Sequence, residues 1–239
     1  MTQTPANANH PTSPAPRCWA LIPCAGSGSR SGAQGPKQYQ VVAGQPMVLH
    51  TLAAFAQVTR LAGILVVVSA EDNFLDTASA TFLVAACGGS TRAGSVLNGL
   101  GALVQKGAEG SDWVLVHDAA RCLITCAQIN ALIDACQHDA VGGLLALKLP
   151  DTLKREVDGR AVQTVERSDK WLAQTPQMFR INELQQALLA AGEAVTDEAS
   201  AMEFVGKAPL LVEGSAQNFK VTYPMDFALA QAVLEIRAL

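Results

Sequence analysis

Short runs of uninterrupted apolar residues alternate along the chain with longer stretches in which apolar positions recur every three or four residues. The runs predict buried strands at Trp19–Pro23 (WALIP), Ile64–Ser69 (ILVVVS), Trp113–His117 (WVLVH), Val141–Leu149 and Leu210–Val212. The longer stretches predict helices over Met47–Val58, with Val48, Leu52 and Phe55 on one face, over Ala93–Gln105, and over Ala127–His138, where Ile129, Leu132, Ile133 and Cys136 are three and four apart. Further helices are predicted at Ile181–Ala191, at about Asp197–Val205, and at Pro224–Ala238, whose Met225, Leu229, Val233 and Ile236 share a face. Strands that are apolar throughout, rather than on alternate positions, belong to a sheet covered on both sides. In a β-α-β-α order they predict an α/β fold: a mostly parallel, Rossmann-like sheet with helices on both faces.

The pattern breaks at Asp151–Glu166 (DTLKREVDGRAVQTVE), which is polar and alternates around Asp158–Gly159. Asp-Gly between two alternating segments is a hairpin signal. With so few apolar residues this hairpin has no core of its own, and residues 151–170 are expected to protrude as an arm. Residues 1–16 (MTQTPANANHPTSPAP) contain no Lys or Arg and no apolar core. They are expected to be a disordered tail rather than a signal peptide, leaving 17–239 as one domain. No internal repeat is visible. The longest apolar run, around Ile64–Val68, is far short of the ~18 residues of a membrane span, so a soluble, cytoplasmic chain without membrane partners is expected.

Composition narrows the function. The chain is 49% apolar and 16% charged, with net charge −4. That mild acidity argues against a nucleic-acid binder, which normally carries a basic surplus. It leaves room for an anionic substrate, because a cleft can focus its own local field. None of the six cysteines is paired in C-x-x-C spacing, so reduced thiols are expected, with no metal site built on them.

The chemistry-bearing segment follows the first strand: Pro23-Cys24-Ala25-Gly26-Ser27-Gly28-Ser29-Arg30-Ser31-Gly32, then Ala33-Gln34-Gly35-Pro36-Lys37-Gln38. A glycine loop at the carboxyl end of a first parallel strand is where open α/β sheets bind nucleotides, and its backbone N–H groups can cradle phosphate oxygens. Arg30 and Lys37 are the only Lys or Arg residues between Arg17 and Arg60, so the loop suits a polyphosphate. It fails as a Walker A motif because Lys37 is followed by Gln38. It fails as a dinucleotide fingerprint because Ser31 stands at the third glycine and no acid occurs between Arg30 and Glu71.

PCAGSGSR followed by GPKQY resembles the signature loop of glycosyltransferase-A-type nucleotidyltransferases. The later segments TRAGSV (91–96), HDAAR (117–121), DTLK (151–154), VER (165–167), QTPQ (174–177), TDEAS (196–200) and FKVT (219–222) narrow the resemblance to the 2-C-methyl-D-erythritol 4-phosphate cytidylyltransferases. It covers roughly residues 17–239. The resemblance implies transfer of a cytidylyl group from CTP to the polyol phosphate with Mg²⁺, the metal held mainly through substrate phosphates, by a homodimer whose arms cross between subunits. It implies that Arg30 and Lys37 stabilise the transition state and that Arg167 and Lys220 hold the acceptor phosphate. It places Gly26, Gly89, Ser95 and Ala119 about the nucleotide, and Asp118, Thr152 and Thr196 about the acceptor or ribose. Ala25, Gly28, Arg92 and Arg121 complete the expected substrate contacts. Cys24, Ser90 and Cys122 depart from the family pattern without removing a cation.

The reaction fits these residue types. A phosphate monoester is already ionised, so the obstacle is repulsion between anions, which cations, backbone donors and positioning overcome. Two other readings stay open. One is a ribitol 5-phosphate cytidylyltransferase, the other a non-catalytic nucleotide-binding module. Single residues also have ordinary explanations: Lys220 as a solvated lysine near a strand end, Arg167 as a hairpin-edge charge, Asp118 as a turn or cap residue, Thr196 as an N-cap, and His117 as structural.

Overall fold

The computed structural model describes residues 15–26, 35–75, 81–192 and 195–238. Seven strands form one sheet: β1 (Cys18–Pro23), β4 (Leu61–Val67), β5 (Leu83–Ala85), β6 (Trp113–Val116), β7 (Gly142–Lys148), β10 (Trp171–Arg180) and β11 (Leu210–Glu213). Their spatial order is β11-β7-β10-β6-β1-β4-β5. All neighbours are parallel except β10, which runs antiparallel to both β6 and β7. Two miniature sheets stand apart: β2 (Val41–Val42) with β3 (Gln45–Pro46), and β8 (Leu153–Val157) with β9 (Arg160–Val165).

Alternation along each central strand feeds two cores, one on each face. Ala20 and Ile22 of β1, Ile64 and Val66 of β4, and Trp113 and Leu115 of β6 face α1 (Met47–Ala56) and α3 (Cys126–Cys136). Trp19, Leu21, Leu65, Val67, Val114 and Val116 face α2 (Arg92–Gln105), α4 (Ile181–Ala191) and α5 (Glu198–Phe204). Gly99 lets α2 lie close to the sheet, since a Cβ there would stand 2.6 Å from side-chain atoms of both Leu21 and Val67. Thr125 caps α3 in a capping box with Gln128.

The Asp158–Gly159 turn forms as expected. Both residues take positive φ, 50° and 75°, as a tight hairpin turn requires. Among the described residues the strands it joins pair only with each other, and they are largely exposed. The strand β10 was not legible in the sequence, because Gln174, Thr175, Pro176 and Gln177 interrupt its apolar pattern and Pro argues against a central strand. The sheet accommodates it with a register break between Ala173 and Gln177 on the β7 side, while pairing to β6 begins only at Gln177. The short β2, β3 and β5 were also not predicted.

The helix α6 (Pro224–Arg237) corrects the sequence reading. Met225, Leu229 and Ile236, expected to face the core, are 78%, 54% and 69% exposed. Val233, the fourth residue of that face, does pack against Leu123 and Val221, but its companions there are Phe227, Ala230 and Leu234. The helix is apolar on two sides, and periodicity does not say which one is covered. Residues 219–221, expected near a strand end, lie in the connection between β11 and α6. Most of the expected N-terminal tail, residues 1–14, lies outside the described residues. Among the described residues no helix is long and apolar enough to cross a membrane.

Candidate active site

Parallel β1 has β4 on one side and β6 on the other, so the connections leaving the carboxyl ends of these strands diverge there and open a crevice. The crevice is an open cleft of about 500 Å³. Its walls are Pro23 at the end of β1 and Cys24–Gly26 beyond it, Lys37 and Gln38 of a 3-10 turn, Gly89–Arg92 and Ser95 at the start of α2, Asp118–Ala120 after β6, and Lys220. Ala25, Gly26, Lys37, Gly89, Arg92, Ser95, Asp118, Ala119 and Lys220, all expected on sequence grounds, are therefore brought together.

Local bonds hold each wall. Gln38 is buried and donates to the carbonyls of Cys24 and Gly26, at 2.8 and 3.1 Å, fixing the described end of the glycine loop. The Gly89 amide donates to Ser95 Oγ at 3.0 Å, and that hydroxyl donates to the Thr91 carbonyl at 2.9 Å. A Cβ on Gly89 would meet the backbone of Gly94 at 2.9 Å, so only glycine permits this approach. Thr91 caps α2 by accepting the Gly94 amide. Thr51 donates to the Ala119 carbonyl at 3.1 Å, and the Val221 amide donates to that of Ala120 at 2.9 Å.

Asp118 is the electrostatic centre. Its Oδ1 accepts Arg92 Nε at 2.8 Å and its Oδ2 lies 2.8 Å from Lys220 Nζ. Burial alone would raise its pKa, but the Arg92 guanidinium and the Lys220 ammonium outweigh that and hold the carboxyl well below the usual range. Its backbone amide donates to Thr175 Oγ1 at 3.1 Å, and Thr175 Oγ1 lies 3.0 Å from His117 Nδ1. His117 Nε2 lies 3.2 Å from the Arg121 carbonyl. Burial pushes the His117 imidazole down to about 3. A neutral ring donating from Nε2 and accepting at Nδ1 satisfies every partner, so His117 orients Thr175, which in turn fixes Asp118.

The other expected residues lie elsewhere. Arg121 turns its Nη1 to the Asn218 carbonyl at 2.7 Å and its Nη2 to that of Ala173 at 3.3 Å, and its Nε stands 4.0 Å from Asp118. Thr196 lines a smaller cavity behind Arg92, together with Asp197 and Glu198. It is not the N-cap. Asp197 is, accepting the Ser200 amide in a capping box, because the helix begins one residue later than the acid run suggests. Thr152 and Arg167, at the base of the arm, do not line the cleft, and Arg167 donates to the carbonyls of Leu149 and Pro150. Gly28 and Arg30 lie outside the described residues. Sequence reasoning gave no role to Gln38, Thr175 or Glu198, although each sits inside a quoted motif.

Residues 18–236 match the family described as IspD, 2-C-methyl-D-erythritol 4-phosphate cytidylyltransferase. The chain belongs to this family. A bifunctional IspD/IspF enzyme of Albidiferax ferrireducens is 69% identical over 93% of the chain, which spans only 54% of that relative's length. The 2-C-methyl-D-erythritol 4-phosphate cytidylyltransferase of Paraburkholderia phymatum is 54% identical, with 91% of this chain and 96% of the relative covered. Among solved structures, a 4-diphosphocytidyl-2C-methyl-D-erythritol synthase superposes with TM-score 0.82 at 40% identity, covering 92% of this chain and 99% of its own. The Francisella tularensis enzyme gives 0.77 at 32%, covering 90% and 99%.

The donor set of this cytidylyltransferase cleft suits a Mg²⁺ that arrives with substrate. Asp118 is the one acid among the described lining residues, and both its oxygens already face cations. No group of three or more His, Cys, Asp or Glu able to hold a metal occurs among the described residues. Mg²⁺ keeps most of its shell as water and phosphate oxygen when few carboxylates are offered.

Proposed function

We propose that this cleft transfers a cytidylyl group from CTP to 2-C-methyl-D-erythritol 4-phosphate, releasing pyrophosphate, by direct attack of the acceptor phosphate on the α-phosphorus. Family membership carries the reaction, a step in isoprenoid precursor synthesis. The observation that supports the mechanism is the pairing of cations with the absence of an activated nucleophile among the described lining residues. Lys37 and Lys220 line the cleft. Burial pushes the Cys24 thiol up to about 12, and Ser95 Oγ is engaged on both sides. An ionised phosphate needs no general base, so positioning and charge compensation carry the rate.

Lys37 faces the triphosphate in this reading, joined by Arg30. Lys220, set by Asp118, faces the acceptor phosphate. Gly26, Gly89, Ser95 and Ala119 surround the nucleotide. Mg²⁺ would be held mainly through the substrate phosphates, where it would neutralise triphosphate charge, because both Asp118 oxygens are engaged by Arg92 and Lys220. Arg167 and Thr152 reach a cleft through the arm. Because β8 and β9 pair only with each other among the described residues, and an isolated hairpin is marginal in water, the arm takes a second subunit as its support. The active form is then a cytoplasmic twofold homodimer with each arm serving the partner's cleft.

Pyrophosphate release from CTP with each polyol phosphate tests the reaction. Turnover with 2-C-methyl-D-erythritol 4-phosphate, abolished by EDTA and restored by Mg²⁺, is expected. Faster turnover with ribitol 5-phosphate would replace the acceptor, and release with neither would remove the reading.

A further inference from the structure

Glu198 is a fully buried acid that does not line the cleft, and the reaction as described gives it no task. It stands in the first turn of α5 and binds Arg92 from behind. Its Oε1 accepts Arg92 Nη1 at 2.7 Å and its Oε2 accepts Nη2 at 2.9 Å. Held end-on in this way, Arg92 meets Asp118 through Nε alone, which donates to Oδ1 at 2.8 Å. Oδ2 of Asp118 remains for Lys220, also at 2.8 Å. Glu198, Arg92, Asp118 and Lys220 form an alternating row of charges, two negative and two positive, drawn from four separate segments of the chain.

We propose that Glu198 is a positioning residue for Lys220: by gripping Arg92 end-on it holds the guanidinium where only Nε reaches Asp118, and so leaves the second Asp118 oxygen to the lysine. A guanidinium free to turn can take a carboxylate through two parallel N–H bonds. If Glu198 lost its charge, Arg92 would turn both kinds of nitrogen to Asp118 and compete with Lys220 for Oδ2. The acid at the start of α5 would thus decide where an ammonium on the opposite wall points, without touching substrate. The proposal rests on the reading that Lys220 faces the acceptor phosphate.

The test is Glu198→Gln, a near-isosteric change that removes the charge and replaces one of the two accepting oxygens with an NH2 donor, made in the wild-type protein and in Lys220→Ala. With CTP and 2-C-methyl-D-erythritol 4-phosphate, the single variant is expected to lower kcat/KM for the acceptor roughly tenfold, as loss of an orienting neighbour does, while KM for CTP moves less. In the Lys220→Ala background the same change should cost under about twofold, because the group it positions is gone. An equal loss in both backgrounds, or wild-type activity in the single variant, overturns the proposal. A crystal structure of the variant reads the geometry without activity. Arg92 should grip Asp118 through two nitrogens with Lys220 withdrawn, and an unchanged Asp118–Lys220 pair overturns it. Should Glu198→Gln fail to fold, Glu198→Asp, whose shorter stem withdraws the carboxylate from the two Arg92 nitrogens it grips, carries the same cycle and the same structural reading. Failure of the functional reading is separate, since it would appear in the wild-type protein as no pyrophosphate release.

Discussion

Lys37 Nζ donates to the backbone carbonyl of Val221 at 2.7 Å. That bond ties the end of the glycine loop to the segment that carries Lys220, so the two cationic walls of the cleft are set against each other by a cation of one and the backbone of the other. Replacing Lys37 by Ala should lower kcat by roughly two orders of magnitude, the usual cost of one preorganised donor to developing charge. The melting temperature should move little, because Lys37 lines an open cleft rather than a core. Steady-state kinetics together with a thermal melt measure both, and near-normal kcat would remove Lys37 from the reacting centre.

His117 makes stability depend on pH. Its folded pKa, about 3, lies below the ~6.5 of an unfolded histidine. The unfolded chain therefore binds the proton first. The contribution is complete above about pH 6.5 and is lost as pH falls toward the folded value. Between pH 7.5 and 5 the loss from this residue should be about 2 kcal/mol. Denaturant titrations across that range should show it in the wild-type protein. His117→Gln, less stable at neutral pH, should show a flatter slope, and equal slopes would contradict a neutral buried His117.

Two glycines of the same region should respond oppositely to alanine. At Gly89 the added methyl meets Gly94 backbone, so Gly89→Ala should displace the loop and raise KM for CTP several-fold. At Gly101, inside α2, nothing lies within 4 Å of the added methyl, and Gly101→Ala should stabilise the protein by about 0.5–1 kcal/mol. Kinetics on the first and denaturant titration on the second decide the matter. Unchanged nucleotide affinity in Gly89→Ala would contradict the packing argument.

A crossed arm predicts complementation. In a mixed dimer of Arg30→Ala and Arg167→Ala subunits, one site carries both defects and the other neither. Random exchange should restore roughly a quarter of wild-type activity, since half the dimers are mixed and half their sites intact. No recovery, with exchange verified independently, would place Arg167 in its own subunit's site.

Much of this architecture was legible because burial leaves a periodic trace. The central parallel strands, the long helices and the Asp158–Gly159 turn follow from apolar spacing and turn chemistry. What escaped was set by long-range contact. β10 hides because Gln174, Thr175 and Gln177 are buried polar residues: Gln174 holds the Ser215 carbonyl, Thr175 the Asp118 amide, and Gln177 the α5 cap. The exposed face of α6 could not be told from its buried one. At the site, motif positions identified the cations, but only the folded chain brings Glu198 to Arg92 and His117 to Thr175. Such partners come from distant parts of the chain and leave no local pattern.

The most direct test of a one-step, charge-driven transfer is the stereochemical course at the α-phosphorus, followed with CTP made chiral by α-phosphorothioate substitution. Direct attack by the acceptor phosphate predicts inversion of configuration in the cytidylyl product. Retention would require two displacements through a covalent enzyme intermediate, and would contradict a site that works by cations and positioning alone.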